Sequence, residues 1–161
     1  MVRISSIALF ARTLLFATVF VLASNGKSYA QEADVRGAID AFHGALEALD
    51  VAKMESLWIH DDRVILITPV DKSISVGWDA VKKKWEGAFE AFGVLKAPLV
   101  DGPHISVKGD VAWATGIASA TEKLKSGVEI STNALTYESY VFEKRDGQWL
   151  LVSHVALRVP K

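Results

Sequence analysis

The side chains best suited to chemistry in this sequence lie on two runs near its end, Ile130 to Phe142 and Trp149 to Val159. Both runs have the composition of β-strands, in which alternate residues share a face. If Ser139 points into the fold, Tyr137 does so too. Because a histidine side chain can change its charge near neutral pH, His154 could act as a general acid or base, with a hydroxyl group orienting it. His154 is therefore the candidate catalytic residue, and a core histidine bonded to a neighbouring hydroxyl is the alternative.

The composition excludes several kinds of site. The chain has no cysteine, so it offers no thiol nucleophile and no thiolate metal ligand, and its four histidines lack the spacing of a zinc site. His60, Asp61 and Asp62 are consecutive, and consecutive turn residues rarely converge on one ion. We expect His43 on an exposed helix surface. We therefore expect neither a metal nor another cofactor.

Residues 1–30 have the pattern of a secretory signal. Residues 1–12 contain Arg3 and Arg12 and no acidic residue, and an apolar run follows them. Ser28 to Ala30 then provides the small residues that a signal peptidase recognises. We expect cleavage before Gln31, a single domain over 31–161, and a periplasmic or secreted protein that leaves the membrane. An uncleaved anchor is the alternative, although the apolar run is shorter than the roughly 20 residues of a spanning helix.

The charge of the mature chain argues against nucleic acid as a partner. Removing residues 1–30 takes away three of the 18 basic residues and no acidic one, which leaves 15 basic against 19 acidic residues. A mildly acidic chain without a basic stripe is a poor ligand for a phosphate backbone.

Two stripes of apolar residues predict amphipathic helices. The first helix is predicted over Ala33 to Leu49 and the third from Gly77 to about Phe92, because apolar residues recur in each at spacings of three and four. Between them, Asp50 is a candidate N-cap for a short second helix, Val51 to Trp58.

The remaining β-patterned runs predict one sheet. Arg63 to Thr68 and Ser73 to Val76 form a short pair, Gly93 to Gly102 is predicted as a linker, and four antiparallel strands follow as a meander. Asp146-Gly147 predicts a tight hairpin between the last two strands. Three helices and a curled antiparallel sheet make an α+β domain.

The helices can cover one face of such a sheet, so its other face needs a partner. We expect a homodimer through that exposed face. The residues expected on it are Ala134, Thr136, Tyr140, Phe142, Trp149 and Leu151.

Several of these residues follow the order and spacing found in a known protein family. The relevant positions are Asp50, Leu57-Trp58, Thr68-Pro69, Gly77-Trp78, Trp85 with Phe89, Gly109 to Trp113, Val141-Phe142, Asp146 to Trp149, and His154. Over Asp34 to Pro160 the chain resembles the SnoaL-like and ketosteroid-isomerase-like (nuclear transport factor two-like) domains. The resemblance implies a cone, in which a strongly bent sheet wraps around the helices, with an apolar pocket open at one end and usually a dimer.

The resemblance also implies which positions steroid isomerase chemistry would use. Phe42 takes the place of a tyrosine donor, Thr68 that of the aspartate base, and Ser139 that of a protonated acid. The chemistry needs a carboxylate that moves a proton and two donors facing an enolate oxygen. Phenylalanine has no donor and threonine is too weak an acid or base, so we expect no steroid isomerase activity.

The family spacing and the hairpin together imply the lining of the pocket. From the strands we expect inward side chains at Trp113, Thr115, Ile117, Leu135, Tyr137, Ser139, Val141, Leu150, Val152, His154 and Ala156. The helical side would add Phe42, Trp58, Thr68, Trp85 and Phe89. The candidate ligand-binding residues are Tyr137, Ser139, Thr68, Phe42, Trp58, Trp85, Phe89, Trp113 and Val152, with ordinary core packing as the alternative for the tryptophans.

Three functions compete on this basis. A largely apolar pocket with few polar groups suits binding of a small apolar molecule without chemistry. A lyase, isomerase or cyclase with His154 as proton shuttle is the second possibility, and a dimeric assembly module with a filled cone is the third. No Asp or Glu is expected inside, which favours binding over catalysis.

Overall fold

A computed structural model describes residues 29–160 of the protein. Three helices form one side of this part of the chain. Helix α1 covers 29–48, α2 covers Val51–Glu55 and α3 covers Trp78–Ala91. Asp50 caps α2 as expected, since its Oδ1 accepts the N–H of Lys53 at 2.9 Å. The predicted signal segment falls almost wholly on residues outside the described range. No helix within 29–160 is long and apolar enough to cross a membrane.

Within residues 29–160, seven strands form one sheet against these helices. They are β1 (Ile65–Ile67), β2 (Ser75–Val76), β3 (Phe92–Lys96), β4 (Leu99–Lys108), β5 (Val111–Leu124), β6 (Glu129–Arg145) and β7 (Gln148–Arg158). The order is β2-β1-β7-β6-β5, and β3 and β4 both pair with β5. The pair β1–β7 is parallel, whereas the other pairs are antiparallel. The sheet is curled around the helices, which confirms the predicted α+β cone.

The last two strands are joined by the predicted hairpin. Arg145 pairs with Gln148 across the turn, and both central residues have positive φ, 49° at Asp146 and 84° at Gly147. Two central residues of that kind make a turn whose twist matches the strands it joins. The hairpin prediction is confirmed.

The linker predicted over Gly93 to Gly102 is wrong. Most of that segment belongs to β3 and β4, which pair along the same edge of β5. The ladder shifts register between Leu99 and His104, where the Gly102–Pro103 peptide bond is cis. Glycine and proline are tolerated at such bulges, so their presence marked an irregular strand and not a linker.

The two faces of β5 and β6 are the reverse of those predicted. Tyr140, Phe142, Trp149, Leu151 and Thr136, expected outside with Ala134, are at most 5% exposed and face the helices. Trp113, Leu135 and Tyr137, expected inside, are 45–51% exposed. Alternation and pairing fix which residues share a side, but both sides of these strands carry large apolar groups. Packing against the helices then decides which side is inside.

A bulge in β7 explains why His154 nevertheless points inward. Val141 pairs with Ser153 and Phe142 pairs with Leu151, so Val152 is an extra residue on β7. The extra residue changes the alternation, and His154 joins Leu151 on the buried side at 3% exposure. Ala156 is inside as expected, whereas Leu150 and Val152 are only partly buried and leave the inner row.

Candidate functional site

A pair of buried ionisable groups lies on the inner face of the sheet. His154 of β7 and Glu138 of β6 approach to 2.8 Å between Nε2 and Oε2, and both side chains are at most 4% exposed. The expected absence of an inward carboxylate is therefore wrong. Glu138 shares its side with Tyr140 and Phe142, so their bulk was the signal in the sequence that could have placed it inside.

The carboxylate is held in its charged form by its neighbours. Burial raises the pKa of Glu138, but the hydrogen bond and charge of His154 outweigh this, and Thr136 donates to Oε1 at 2.6 Å. The pKa of Glu138 is lowered as a result. A charged Glu138 accepts the Nε2–H of His154, so Nδ1 is the free ring nitrogen, and it is buried without a partner among the described residues.

A second histidine belongs to the same network. His43 of α1 is only partly exposed, and its Nε2 lies 2.8 Å from the hydroxyl oxygen of Tyr140, so the expectation of an exposed surface position is wrong. Burial, with the charge of His154, lowers the pKa of His43 to about 4. Burial and the charge of Glu138 raise the pKa of Tyr140. Both groups are therefore neutral at neutral pH, between the buried pair and the surface.

Aromatic rings enclose this network from the helical side. The ring of Phe42 lies 4.6 Å from that of His154 and 5.8 Å from that of Trp85, which contacts Phe89 at 5.8 Å. Together with Trp58, these side chains are at most 5% exposed. They lie inside the cone as expected, and their own packing occupies much of the interior. Their role as ligand contacts stays a prediction.

The other predicted ligand residues do not meet His154. Tyr137 and Ser139 line a groove of about 310 Å³ on the outer face, and Trp113 lies on that face too. Val152 is the bulged residue. Thr68 follows β1, where its N–H donates to Asp71 at 2.7 Å, and Asp71 pairs with Lys84. The observed polar partners of His154 are therefore Glu138 and, through it, Thr136.

Metal binding finds no support in this part of the molecule. Among residues 29–160, no three His, Cys, Asp or Glu side chains are grouped so as to hold an ion. The chemistry available at the network is proton transfer and hydrogen bonding at His154 and Glu138.

Comparison with known families gives one match that covers most of the chain. Residues 35–156 match the family model of the SnoaL-like domain. A comparison with curated protein sequences finds no significant match.

Solved structures repeat the same architecture. A protein of Streptomyces avermitilis, provisionally described as a dehydratase of the NTF2-like family, is 24% identical, with 80% of this chain and 95% of that chain covered and a TM-score of 0.70. A ketosteroid isomerase-like protein of Erwinia carotovora is 21% identical, with 80% and 96% covered and a TM-score of 0.67.

A third structure, from Thiobacillus denitrificans, is provisionally described as a calcium/calmodulin-dependent protein kinase type II association domain. It is 26% identical, with 78% of this chain and 94% of that chain covered and a TM-score of 0.62. These likenesses establish a shared fold. They include proteins described by quite different activities, so the fold does not select a reaction.

Proposed function

The chain belongs to the SnoaL-like domain family, and on that premise we propose that it binds a small, largely apolar molecule inside the cone, beside His154. The observation that carries the proposal is the free Nδ1 of His154. This atom is buried without a partner among the described residues, while Glu138 fixes the other ring nitrogen. An unpaired polar atom in an apolar interior is unfavourable, and a ligand hydroxyl could satisfy it.

Phe42 is the side chain that such a ligand would replace. Its ring is closest to the imidazole and is fully buried, so the ligand enters as this ring moves aside. Phe42→Ala should open a cavity next to Nδ1 at a cost of about 3–5 kcal/mol in stability. Apolar cavities made in this way can bind molecules of the size of benzene.

Thermal-shift measurements with phenol and toluene test the proposal. A ligand that binds only the folded state raises the melting temperature, and phenol should do so more than toluene because its hydroxyl can form a hydrogen bond with Nδ1. We expect a phenol shift in the natural protein and a larger one in Phe42→Ala. Phe89→Ala removes a ring that contacts Trp85 instead of His154, so this control should show no preference for phenol over toluene. No shift with either compound in the natural protein and Phe42→Ala contradicts the proposal.

A second candidate function is acid–base catalysis of the lyase, isomerase or cyclase type. The buried carboxylate favours it, because Glu138 orients His154 and would stabilise the imidazolium formed when Nδ1 takes a proton from a substrate carbon. Glu138→Gln keeps the size of the side chain and removes its charge. We expect this variant and His154→Ala to lose turnover of a substrate by a factor of about 100 or more, with Tyr137→Phe on the outer face unchanged. Unchanged turnover in His154→Ala would exclude the mechanism.

Steroid isomerase activity remains outside the proposal. Phe42 has no donor, Thr68 is no base, and the acid on β6 is Glu138 and not Ser139. The lowered pKa of Glu138 makes it a carboxylate at neutral pH, so it does not donate a hydrogen bond as a protonated acid would. Absorbance of a Δ5-3-ketosteroid with the purified protein should therefore show no conversion to the conjugated enone.

Export and dimer formation complete the proposal. The signal pattern of residues 1–30 supports a periplasmic or secreted protein. Mass spectrometry of the exported protein tests this, because its mass should correspond to a chain that begins at Gln31.

A homodimer through the outer sheet face is supported by the apolar side chains exposed there. An assembly module is the remaining alternative, which the tightly packed interior and the 26% identical association domain support.

A further inference from the structure

A separate polar cluster lies near the end of β7. Arg158 donates from Nη2 to Oε2 of Glu122 at 2.6 Å, and Ser131 donates to the same oxygen at 2.7 Å. Glu122 is 7% exposed, whereas about a third of the Arg158 side chain (32%) is accessible. Glu122 is therefore buried and Arg158 only partly so, and one carboxylate oxygen of Glu122 accepts hydrogen bonds from two side chains.

The guanidinium group of Arg158 keeps unused donors. Arginine offers five N–H groups in a planar fork, and Glu122 takes one of them at Nη2. Nη1 is buried and has no hydrogen-bond partner among residues 29–160. Because a planar fork matches two carboxylate oxygens, a second carboxylate would satisfy donors that Glu122 leaves free.

A cleft opens beside this arginine. Its volume is about 700 Å³, and its walls combine polar and apolar groups. The polar side is formed by Ser131, Thr132 and Asn133, and the apolar side includes Ile130 and Leu135, which are 42% and 45% exposed. A guanidinium group with free donors beside apolar walls suits a ligand that has a carboxylate head and an apolar body, although Glu122 already balances the charge of Arg158.

We propose that this cleft binds a small aliphatic carboxylic acid, with its carboxylate on the guanidinium group of Arg158 and its chain along Ile130. Nη1 is buried in the free protein, so a change in side-chain torsion is needed to bring it to the carboxylate of the ligand. The site uses none of the residues of the interior network and goes beyond the proposed function, so either can fail without the other.

Octanoate and octan-1-ol, which share a chain and differ in the head group, test the proposal on the purified protein. Titration calorimetry should show octanoate binding at least about tenfold more tightly than the alcohol, because a charge-assisted bidentate pair is lost with the alcohol. In NMR spectra, octanoate should shift the Nε–Hε signal of Arg158. Equal binding of the two compounds, or no binding of octanoate at millimolar concentration, overturns the proposal.

Two variants separate the site from the fold. Arg158→Gln alone leaves a buried carboxylate without its partner, so the double variant Glu122→Gln/Arg158→Gln removes both charges and keeps the polar groups. It should lose the preference for octanoate by about tenfold while its circular dichroism stays unchanged. Arg145→Gln, in an exposed ion pair with Glu143, is the matched control and should bind octanoate as the natural protein does. Natural octanoate affinity in the folded double variant also overturns the proposal.

Discussion

At the scale of single residues, two histidines share one network but have different partners. His154 is paired with a carboxylate, whereas His43 is bonded to the neutral hydroxyl of Tyr140. Burial disfavours the charged form of His43, and the negative charge of Glu138 offsets this only in part, so the pKa of His43 falls to about 4. At neutral pH the network holds one carboxylate at Glu138, and His43 carries no charge towards the surface.

The stability of the protein should therefore fall as the pH is lowered through the range set by His43. The unfolded chain binds a proton at this residue below pH 6.5, whereas the folded chain does so only near pH 4. The unfolded state then holds more protons between these values, so stability is fully present above pH 6.5 and decreases towards pH 4. The loss amounts to about 3 kcal/mol at most, from 1.36 kcal/mol per pKa unit. Urea unfolding at a series of pH values measures it.

His43→Gln provides the comparison for this prediction. Glutamine can still bond to the hydroxyl of Tyr140 but does not titrate, so the variant should have a flatter stability profile between pH 6.5 and 4. The lowered pKa of Glu138 contributes acid loss of the same sign below about 4.5 in both proteins. Parallel stability profiles of the two proteins would contradict the prediction, because they would show that folding does not lower the pKa of His43.

At the scale of elements, the close approach of β4 to β5 depends on a missing side chain. A Cβ atom at Gly116 of β5 would lie 2.7 Å from the carbonyl oxygen of Asp101 and 3.1 Å from Leu99, both in the bulged part of β4. Backbone atoms cannot give way as a flexible side chain can. The irregular path of β4, and with it the shape of the groove on the outer face, is therefore tied to glycine at position 116.

Gly116→Ala should destabilise the protein by about 1–3 kcal/mol, because β4 must move to admit the methyl group. Gly37→Ala is a suitable control: it lies within α1, and a Cβ atom there meets nothing within 4 Å. That change should stabilise by roughly 0.5–1 kcal/mol, since alanine favours the helix. Urea unfolding of both variants should give opposite signs, and a neutral Gly116→Ala would mean that β4 is free to shift.

At the scale of the whole molecule, the outer face of the sheet exposes several large apolar side chains. The large apolar side chains exposed on it are Val111, Trp113, Leu135, Tyr137 and Leu157. Tyr137 and Leu157 are cross-strand partners, and the others extend along the same face of β5 and β6. An exposed apolar patch of neighbouring residues is typical of a protein interface.

A second copy of the chain is the proposed partner of this patch, and Trp113→Asp should prevent the association. The side chain is 46% exposed, so the charge has little effect on the monomer but would be buried without a partner in a dimer. Sedimentation or light scattering at micromolar concentration should give a dimer for the natural protein and a monomer for the variant. Ile74→Asp, at a residue 58% exposed before β2, should stay dimeric. A monomeric natural protein contradicts the proposal.

Much of this architecture could be predicted because it depends on local patterns. The spacing of Val35, Ile39 and Phe42 identified α1, Asp50 identified the start of α2, and Asp146-Gly147 identified the hairpin. Each of these signals acts through neighbours in the chain. The inward position of the aromatic residues of α1 and α3 followed from the same periodicity.

The polar part of the candidate site could not be predicted in this way. Alternation puts Tyr137 and Ser139 on one side of β6 and Glu138 with Tyr140 on the other, but it does not say which side faces the helices. His154 was expected inside with the wrong partners, because the bulge at Val152 shifts the alternation within β7. A bulge depends on the pairing of two strands over their whole length, so no single residue in the sequence predicts it.

The sequence by itself thus determined the helices, most of the strands, the hairpin and the family of the fold, because local backbone preferences and apolar periodicity act over short distances. Only the tertiary structure decided that Glu138 joins His154 in the interior and that Tyr137 and Trp113 lie outside. Two nearly equal apolar faces compete for the helices, and the choice between them is made by packing that involves the whole chain.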